Sequence, residues 1–178
     1  MDNSHLLSLL HILNIEIRQA EPADLDRIKR DLKGIASRSF EQELEEQAQG
    51  ILSFFLSLDR DKVIGCGFIR WHGPRHPAAQ QLFPNAPEIY RLEVHRTFRS
   101  YGIGQALMAK MEEAAAAQGY EAVSLGVAHQ NWRAYSLYTK LGYADTQLNA
   151  YDDEQRYQRE DGGFDVVKTR CRYMLKPL

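Results

Sequence analysis

The sequence predicts a single-domain α/β fold with a mixed, mostly antiparallel central sheet flanked by helices. Three observations predict it. The chain has 178 residues, 44% of them hydrophobic and 26% charged, which is enough for one domain with a sizeable core and close to ordinary globular composition. Its early apolar runs, Ile15–Arg18, Ile51–Leu58 and Val63–Trp71, have the character of strands, the last two joined by a turn at Asp59-Arg60-Asp61. Its middle alternates strand, helix and strand, the arrangement that places a helix across a sheet.

Taken in order, residues 1–14 are set apart as an N-terminal extension from a domain spanning 15–178. The apolar run His5–Leu13 lacks a basic region before it and a small-residue cleavage site after it, so it is not expected to be a secretion signal. Glu21-Pro22-Ala23-Asp24 opens the first helix, with Asp24 expected as N-cap, and Phe40–Gln49 forms a second helix closed by Gly50. The proline-rich stretch His72–Pro87 is expected to be a loop and Glu88–His95 a strand. Ile103, Leu107, Met111 and Ala114 or Ala115 recur at helical spacing over Gly102–Gln118, with Gly119 closing the helix. Val123, Leu125 and Val127 alternate as a strand, and Asn131 caps a helix with inner face Ala134, Leu137, Tyr138 and Leu141. Strands around Tyr143–Leu148 and Val166–Leu175 finish the chain, separated by a polar loop at Tyr151–Gly163.

Composition excludes several functions. A net charge of -2 provides no broad basic surface for nucleic acid. No run approaches the length of a membrane span. Cys66 and Cys171 sit in apolar strands without metal spacing and are expected to be buried structural residues of a reducing, cytoplasmic compartment. No His/Cys/Asp/Glu cluster has the spacing of a metal site.

The strongest chemical signal is Arg99-Ser100-Tyr101-Gly102-Ile103-Gly104, between a strand and a helix. Glycines let the backbone approach a ligand closely, and unpaired N–H groups at a helix start attract an anion such as a pyrophosphate. The spacing is neither a P-loop nor GxGxxG, since Leu107 stands at the third glycine position. A tight turn without a ligand would leave the same six residues.

In its wider setting, Leu92–Leu107 resembles the coenzyme A signature of the GNAT superfamily of N-acetyltransferases, (Gln/Arg)-x-x-Gly-x-(Gly/Ala) after a strand. Asn131-Trp132-Arg133-Ala134-Tyr135-Ser136-Leu137-Tyr138-Thr139-Lys140-Leu141-Gly142-Tyr143 is similar to the same family's Asn-x-x-Ala-x-x-x-Tyr-x-x-x-Gly-(Phe/Tyr) segment. The likeness is specific over Glu88–Tyr143 and loose over Ile15–Trp71.

The resemblance implies that acetyl-CoA is the cosubstrate. The N–H groups of Arg99, Ser100, Tyr101, Gly102, Ile103 and Gly104 would hold its pyrophosphate. The backbone of Leu92 and Val94 would pair with the pantetheine arm where the two central strands splay, and Asn131 would lie nearby. Tyr138 is the implied general acid toward the departing thiolate. Freeing an amine of pKa about 10.4 at pH 7 takes on the order of 4–5 kcal/mol, so a base is also needed. Glu88 stands where several family members carry one, and Glu93 sits beside the pantetheine positions. In a regular strand Glu88 would share a face with Tyr90, Leu92 and Val94 while Glu93 pointed away, and a bulge, frequent in the family here, would reset that parity. Both acids remain open, as does a water.

The acceptor that the resemblance implies is a primary amine of a small molecule or peptide. An acidic, aromatic stretch holding Tyr151, Asp152, Asp153, Glu154, Tyr157, Glu160 and Asp161 suits a cationic amine, and the acidic helix face Glu41, Glu43, Glu45 and Glu46 reads as solvated. The competing reading is a catalytically inactive acyl-CoA-binding sensor of the same fold, which would more readily lose Tyr138. A homodimer is expected to use the N-terminal extension.

Overall fold

The computed structural model describes residues 15–32, 39–148, 151–158 and 164–178, so the expected N-terminal extension lies outside the described residues. Strand β1 (Ile15–Gln19) leads through a tight helical turn at Pro22–Asp24 into helix α1 (Leu25–Asp31), and α2 (Phe40–Ala48) follows. The hairpin β2 (Leu52–Asp59) and β3 (Lys62–Arg70) comes next, then α3 (Pro77–Leu82), β4 (Glu88–Val94), α4 (Ile103–Ala117), β5 (Ala122–Ala128) and α5 (Trp132–Lys140). Strands β6 (Ala144–Asp145), β7 (Tyr151–Gln158) and β8 (Phe164–Pro177) complete the order.

The strands form one sheet, β1-β2-β3-β4-β5-β8-β6, with β7 also paired to β8. Every pairing is antiparallel except β4 with β5, which is parallel. This is the mixed, mostly antiparallel α/β fold expected from the sequence.

Three local expectations are corrected. Asp24 does not cap α1 with its side chain. It closes a capping box in the preceding turn, where its carboxylate accepts the Glu21 N–H at 2.8 Å and a two-pronged bond from Arg18 at 2.6 and 2.8 Å. The stretch 72–87 is not all loop, because Pro77 starts helix α3 with the fixed φ that suits a first turn. The polar stretch from Tyr151 is a strand, paired residue for residue from Tyr151↔Cys171 to Gln158↔Phe164. Its sequence lacks apolar alternation, and it is the backbone pairing with β8 that defines it as a strand.

The sheet is covered on both faces. On one, Ile103, Leu107, Met108, Met111 and Ala115 of α4 pack on Phe55, Ile64, Ile69, Ile89, Val123 and Leu125. On the other, Ile28, Leu32 and Phe40 cover Leu52, Phe54, Leu56, Cys66 and Phe68. Here the rings of Phe40, Phe54, Phe68 and Tyr90 stack in series, with centroids 6.0, 4.2 and 5.3 Å apart. Both cysteines are buried, as expected.

Two departures from regularity shape the centre. Strands β4 and β5 pair only at Glu88↔Ser124 and Ile89↔Leu125 and then part, the splay implied by the resemblance. Strand β4 also bulges against β3. Tyr90 faces Phe68 and Glu93 faces Cys66, so Arg91 and Leu92 together oppose Gly67. Arg91 takes the left-handed φ of 52° that the extra residue demands.

Next to the bulge β3 approaches β4 so closely that a Cβ on Gly65 would lie 2.7 Å from the Glu93 carbonyl and 2.7 Å from Ser57 Oγ. Gly65→Ala is therefore expected to destabilise the protein by about 1–3 kcal/mol, read as a lower denaturant midpoint at unchanged slope. An unchanged midpoint would mean that β4 is free to shift.

Candidate active site

The parting strands, the start of α5, residues 75–77 and the β7–β8 hairpin enclose a cleft of about 450 Å³. The closed end of the splay is held by Ser124. Its N–H donates to the Pro87 carbonyl at 2.8 Å, and its hydroxyl reaches the Ala86 and Pro87 carbonyls at 3.1 and 3.0 Å. The Tyr173 hydroxyl lies 3.1 Å from Ser124 Oγ and donates to Glu88 Oε1 at 3.2 Å.

The bulge decides the side-chain faces. Glu88, Tyr90 and Glu93 stand opposite Arg70, Phe68 and Cys66, on the α1–α2 side of the sheet. Leu92 and Val94 turn to the other face, against the α4 core. The two candidate acids thus share a face, which a regular strand would have forbidden.

Glu88 is 5% exposed and lines the cleft. Burial pushes its carboxyl above the ordinary range. The Arg75 charge, the Arg75 N–H bonded at 3.1 Å, and the Tyr173 hydroxyl pull the other way. Burial also raises Glu93, against the charges of Arg99 and Arg91. Tyr138 lines the same cleft, and burial pushes its hydroxyl up to about 12, with the Glu93 charge adding to the rise. Asn131 lines the cleft too, and its Oδ1 caps α5 by accepting the Ala134 N–H at 3.1 Å. Tyr135 and Tyr143 pack, as expected: Tyr143 is buried with its hydroxyl bonded to Glu112 at 2.8 Å.

The other candidates form a second group. Gly102 caps α4 at a φ of 81°, and the first bond to that cap runs from the Ala106 N–H to its carbonyl. The N–H groups of Ile103, Gly104 and Gln105 therefore have no acceptor within the helix. Ser100 is also left-handed, at φ 73°, and its hydroxyl accepts from Arg133 of α5 at 3.1 Å. Tyr101 is exposed. The Arg99 N–H is already given to the Arg96 carbonyl at 3.3 Å, and its Nε donates to the Val94 carbonyl at 3.0 Å. A Cβ on Gly104 would meet only Val94 and Leu92, at 3.8 and 3.9 Å, which are ordinary contacts. The protein's own packing therefore does not require a glycine there.

Sequence reading missed the cleft's cations. Arg75, His76 and Arg91 line it. Arg91 Nη1 donates to Glu43 Oε1 at 2.6 Å, and Glu43 is fully buried, not part of a solvated helix face as expected. Of the acidic residues in the stretch after Tyr151, Asp152 lines the cleft; the side chains of the others lie outside the described residues. Among the described residues no group of three or more His, Cys, Asp or Glu side chains is placed to hold a metal, and no helix is long and apolar enough to cross a membrane.

The fold and site define an α/β protein whose sheet is opened between two parallel strands, with a ligand-accommodating helix start on the adjoining face. The acetyltransferase (GNAT) family model matches residues 12–143, and the chain belongs to that family. Among solved structures it is similar to a GNAT acetyltransferase from Streptococcus pneumoniae, at 20% identity and TM-score 0.65, covering 92% of this chain and 99% of that one. It is also similar to a GNAT acetyltransferase from Elizabethkingia anophelis with acetyl-CoA bound (19% identity, TM-score 0.56, 93% and 99% covered). A third is the PaiA N-acetyltransferase from Thermoplasma acidophilum in complex with coenzyme A (19%, 0.60, 92% and 99%). At these identities the likeness is one of fold.

Because burial raises the Glu88 carboxyl, its contribution to stability is fully present below the carboxyl's unfolded pKa and is lost as pH rises through the folded value. Glu88→Gln does not titrate. Its stability relative to the unmodified protein is expected to rise between pH 4 and pH 7 in paired denaturant titrations. A difference that falls over that range would reverse the sign assigned here.

Proposed function

We propose that the protein is an N-acetyltransferase that moves the acetyl group of acetyl-CoA to a primary amine of a small molecule or peptide by direct attack in a ternary complex. The observation that carries this reading is the splay of β4 from β5, with Tyr138 and Glu88 both facing the opened cleft. Two of the structural relatives were solved with acetyl-CoA or coenzyme A bound, which supports the choice of cosubstrate.

In this reading the free N–H groups at the turn, from Ser100 through Tyr101 and Gly102 to Ile103 and Gly104, hold the pyrophosphate, with the Arg99 guanidinium beside them. The backbone of Leu92 and Val94, on the side of β4 that β5 has left, pairs with the pantetheine arm. Asn131 borders it on the α5 side. Both acetyl-CoA and amine then meet where the strands part.

The chemistry follows from the two side chains. Glu88 takes one proton from the ammonium group, and its raised pKa makes it a better match for that task near neutral pH. The neutral nitrogen attacks the thioester carbonyl, a C–N bond forms and the C–S bond breaks. The Tyr138 hydroxyl, kept protonated by burial, donates to the leaving sulfur and takes up the second proton that the nitrogen sheds. One proton thus ends on the thiol, and the other leaves through Glu88 to solvent. Glu93 sets the field at Tyr138 and does not take the proton. A cleft that retains Tyr138 favours an enzyme over an inactive sensor.

Calorimetric titration of the purified protein with acetyl-CoA and free CoA tests the reading. Micromolar binding is expected. Gly104→Leu, whose Cβ meets only ordinary contacts within the protein, is expected to weaken it at least tenfold while circular dichroism is unchanged. In an amine screen Tyr138→Phe is expected to lower kcat about 10²- to 10³-fold with the acetyl-CoA KM nearly unchanged. Folded protein that binds neither CoA species would overturn the proposal.

A further inference from the structure

We infer that the acceptor carries a carboxylate beside its amine, as a free amino acid does, and that Arg75 and Arg91 hold that carboxylate; the inference rests on the acetyltransferase reading of the same cleft.

Three observations converge on it. First, this side of the cleft carries two arginines. Arg75 and Arg91 line it, and the guanidinium carbons of Arg70 and Arg75 lie over the Tyr90 ring at 5.5 and 5.2 Å. Stacking holds an arginine fork in one orientation, which suits it to a planar carboxylate. Secondly, among the described residues two buried nitrogens at this wall lack a hydrogen-bond partner. Arg91 Nη1 is bonded to Glu43, but its Nη2 is buried with no partner, and His76 Nδ1 on the same wall is in the same state. A buried guanidinium N–H without an acceptor is costly, and a bound carboxylate would supply one.

Thirdly, the backbone is strained at the residue that aims this group. Arg91 adopts φ 52° at the β4 bulge. A non-glycine residue in that region persists where the surrounding structure holds it there, and bulges of this kind re-aim a side chain. Here the bulge turns Arg91 to the same face as Tyr90, where it stacks on Phe68 at 4.8 Å and reaches both Glu43 and the cleft.

The acidic groups on the wall, Glu88 and Asp152, then face the ammonium end of the same molecule. A zwitterion satisfies both signs, whereas a polycation would meet the two arginines. The cleft, at about 450 Å³, has the size of a small-molecule site. This differs from the cationic acceptor expected from the sequence, which rested on a stretch of which Tyr151 and Asp152 line the cleft among the described side chains.

The test is an acceptor panel in matched sets: free amino acids of increasing amine-to-carboxylate spacing, their amides, and the corresponding amines without the carboxyl group. The free acid is expected to have the highest kcat/KM of its set. In Arg75→Gln and Arg91→Lys the acid-to-amide ratio is expected to fall about 10- to 100-fold, through KM, the loss of one charge-assisted hydrogen bond. Lysine at position 91 keeps a charge against Glu43 but not the fork, and Arg75 is half-exposed, so either variant is expected to fold. Amides or simple amines acetylated as well as the acids would overturn this inference and leave the acetyltransferase reading standing. So would an acid preference unchanged in both variants. A protein that binds acetyl-CoA but acetylates no amine overturns the acetyltransferase reading and this inference with it.

Discussion

The molecule depends on one interrupted pairing. Two parallel strands at the centre of the sheet are joined over two residue pairs, Glu88↔Ser124 and Ile89↔Leu125, and then part. Parallel strands that separate inside a sheet leave backbone groups without partners, a state a folded interior does not tolerate unless something else supplies them. The closed end is secured by Ser124, whose backbone and side chain both reach the carbonyls that precede β4. The open end borders the cleft.

The bulge at Arg91 turns this opening into a site with two different sides. Before it, Ile89 faces the α4 core and Glu88 faces the cleft; after it, Leu92 and Val94 have moved to the α4 side. One extra residue thus gathers Glu88, Tyr90, Arg91 and Glu93 on the acceptor face and leaves an apolar edge beside Gly104. A strand of strict alternation would have divided the acids between core and cleft and buried one of them against α4.

The charges around the opening are mutually dependent. Glu43 is fully buried and is matched by Arg91; Glu88 is nearly so and is matched by Arg75 and Tyr173. Removing the Arg91 charge altogether would leave the Glu43 carboxylate short of a partner where desolvation is severe, whereas Glu88 keeps the Arg75 backbone N–H and the Tyr173 hydroxyl. The same arginines line the cleft, so the network that pairs with the acids also gives that wall its polarity.

Much of this was legible in the sequence. Helical spacing marked α4 through Ile103, Leu107 and Met111, and all three are buried; glycines marked where α2, α4 and α5 stop; the Arg99–Gly104 turn and the Asn131–Tyr143 segment carried the family. These are local signals, each contained within a dozen residues, and local chemistry decides them. Strand β7 escaped because its pairing with β8 leaves no apolar alternation to read, and α3 escaped among prolines. Arg75, Arg91 and Glu43 escaped for a deeper reason. Their roles come from a bulge and from contacts over 13 to 48 residues of separation, and neither residue type nor spacing along the chain records which face a strand presents after its register slips. Residue chemistry and local periodicity, read from the sequence, determined the fold class, the family and the cofactor turn. The shared face of the two acids and the arginines that line the cleft were decided by tertiary structure, because only the assembled sheet fixes which side of a bulged strand meets the cleft.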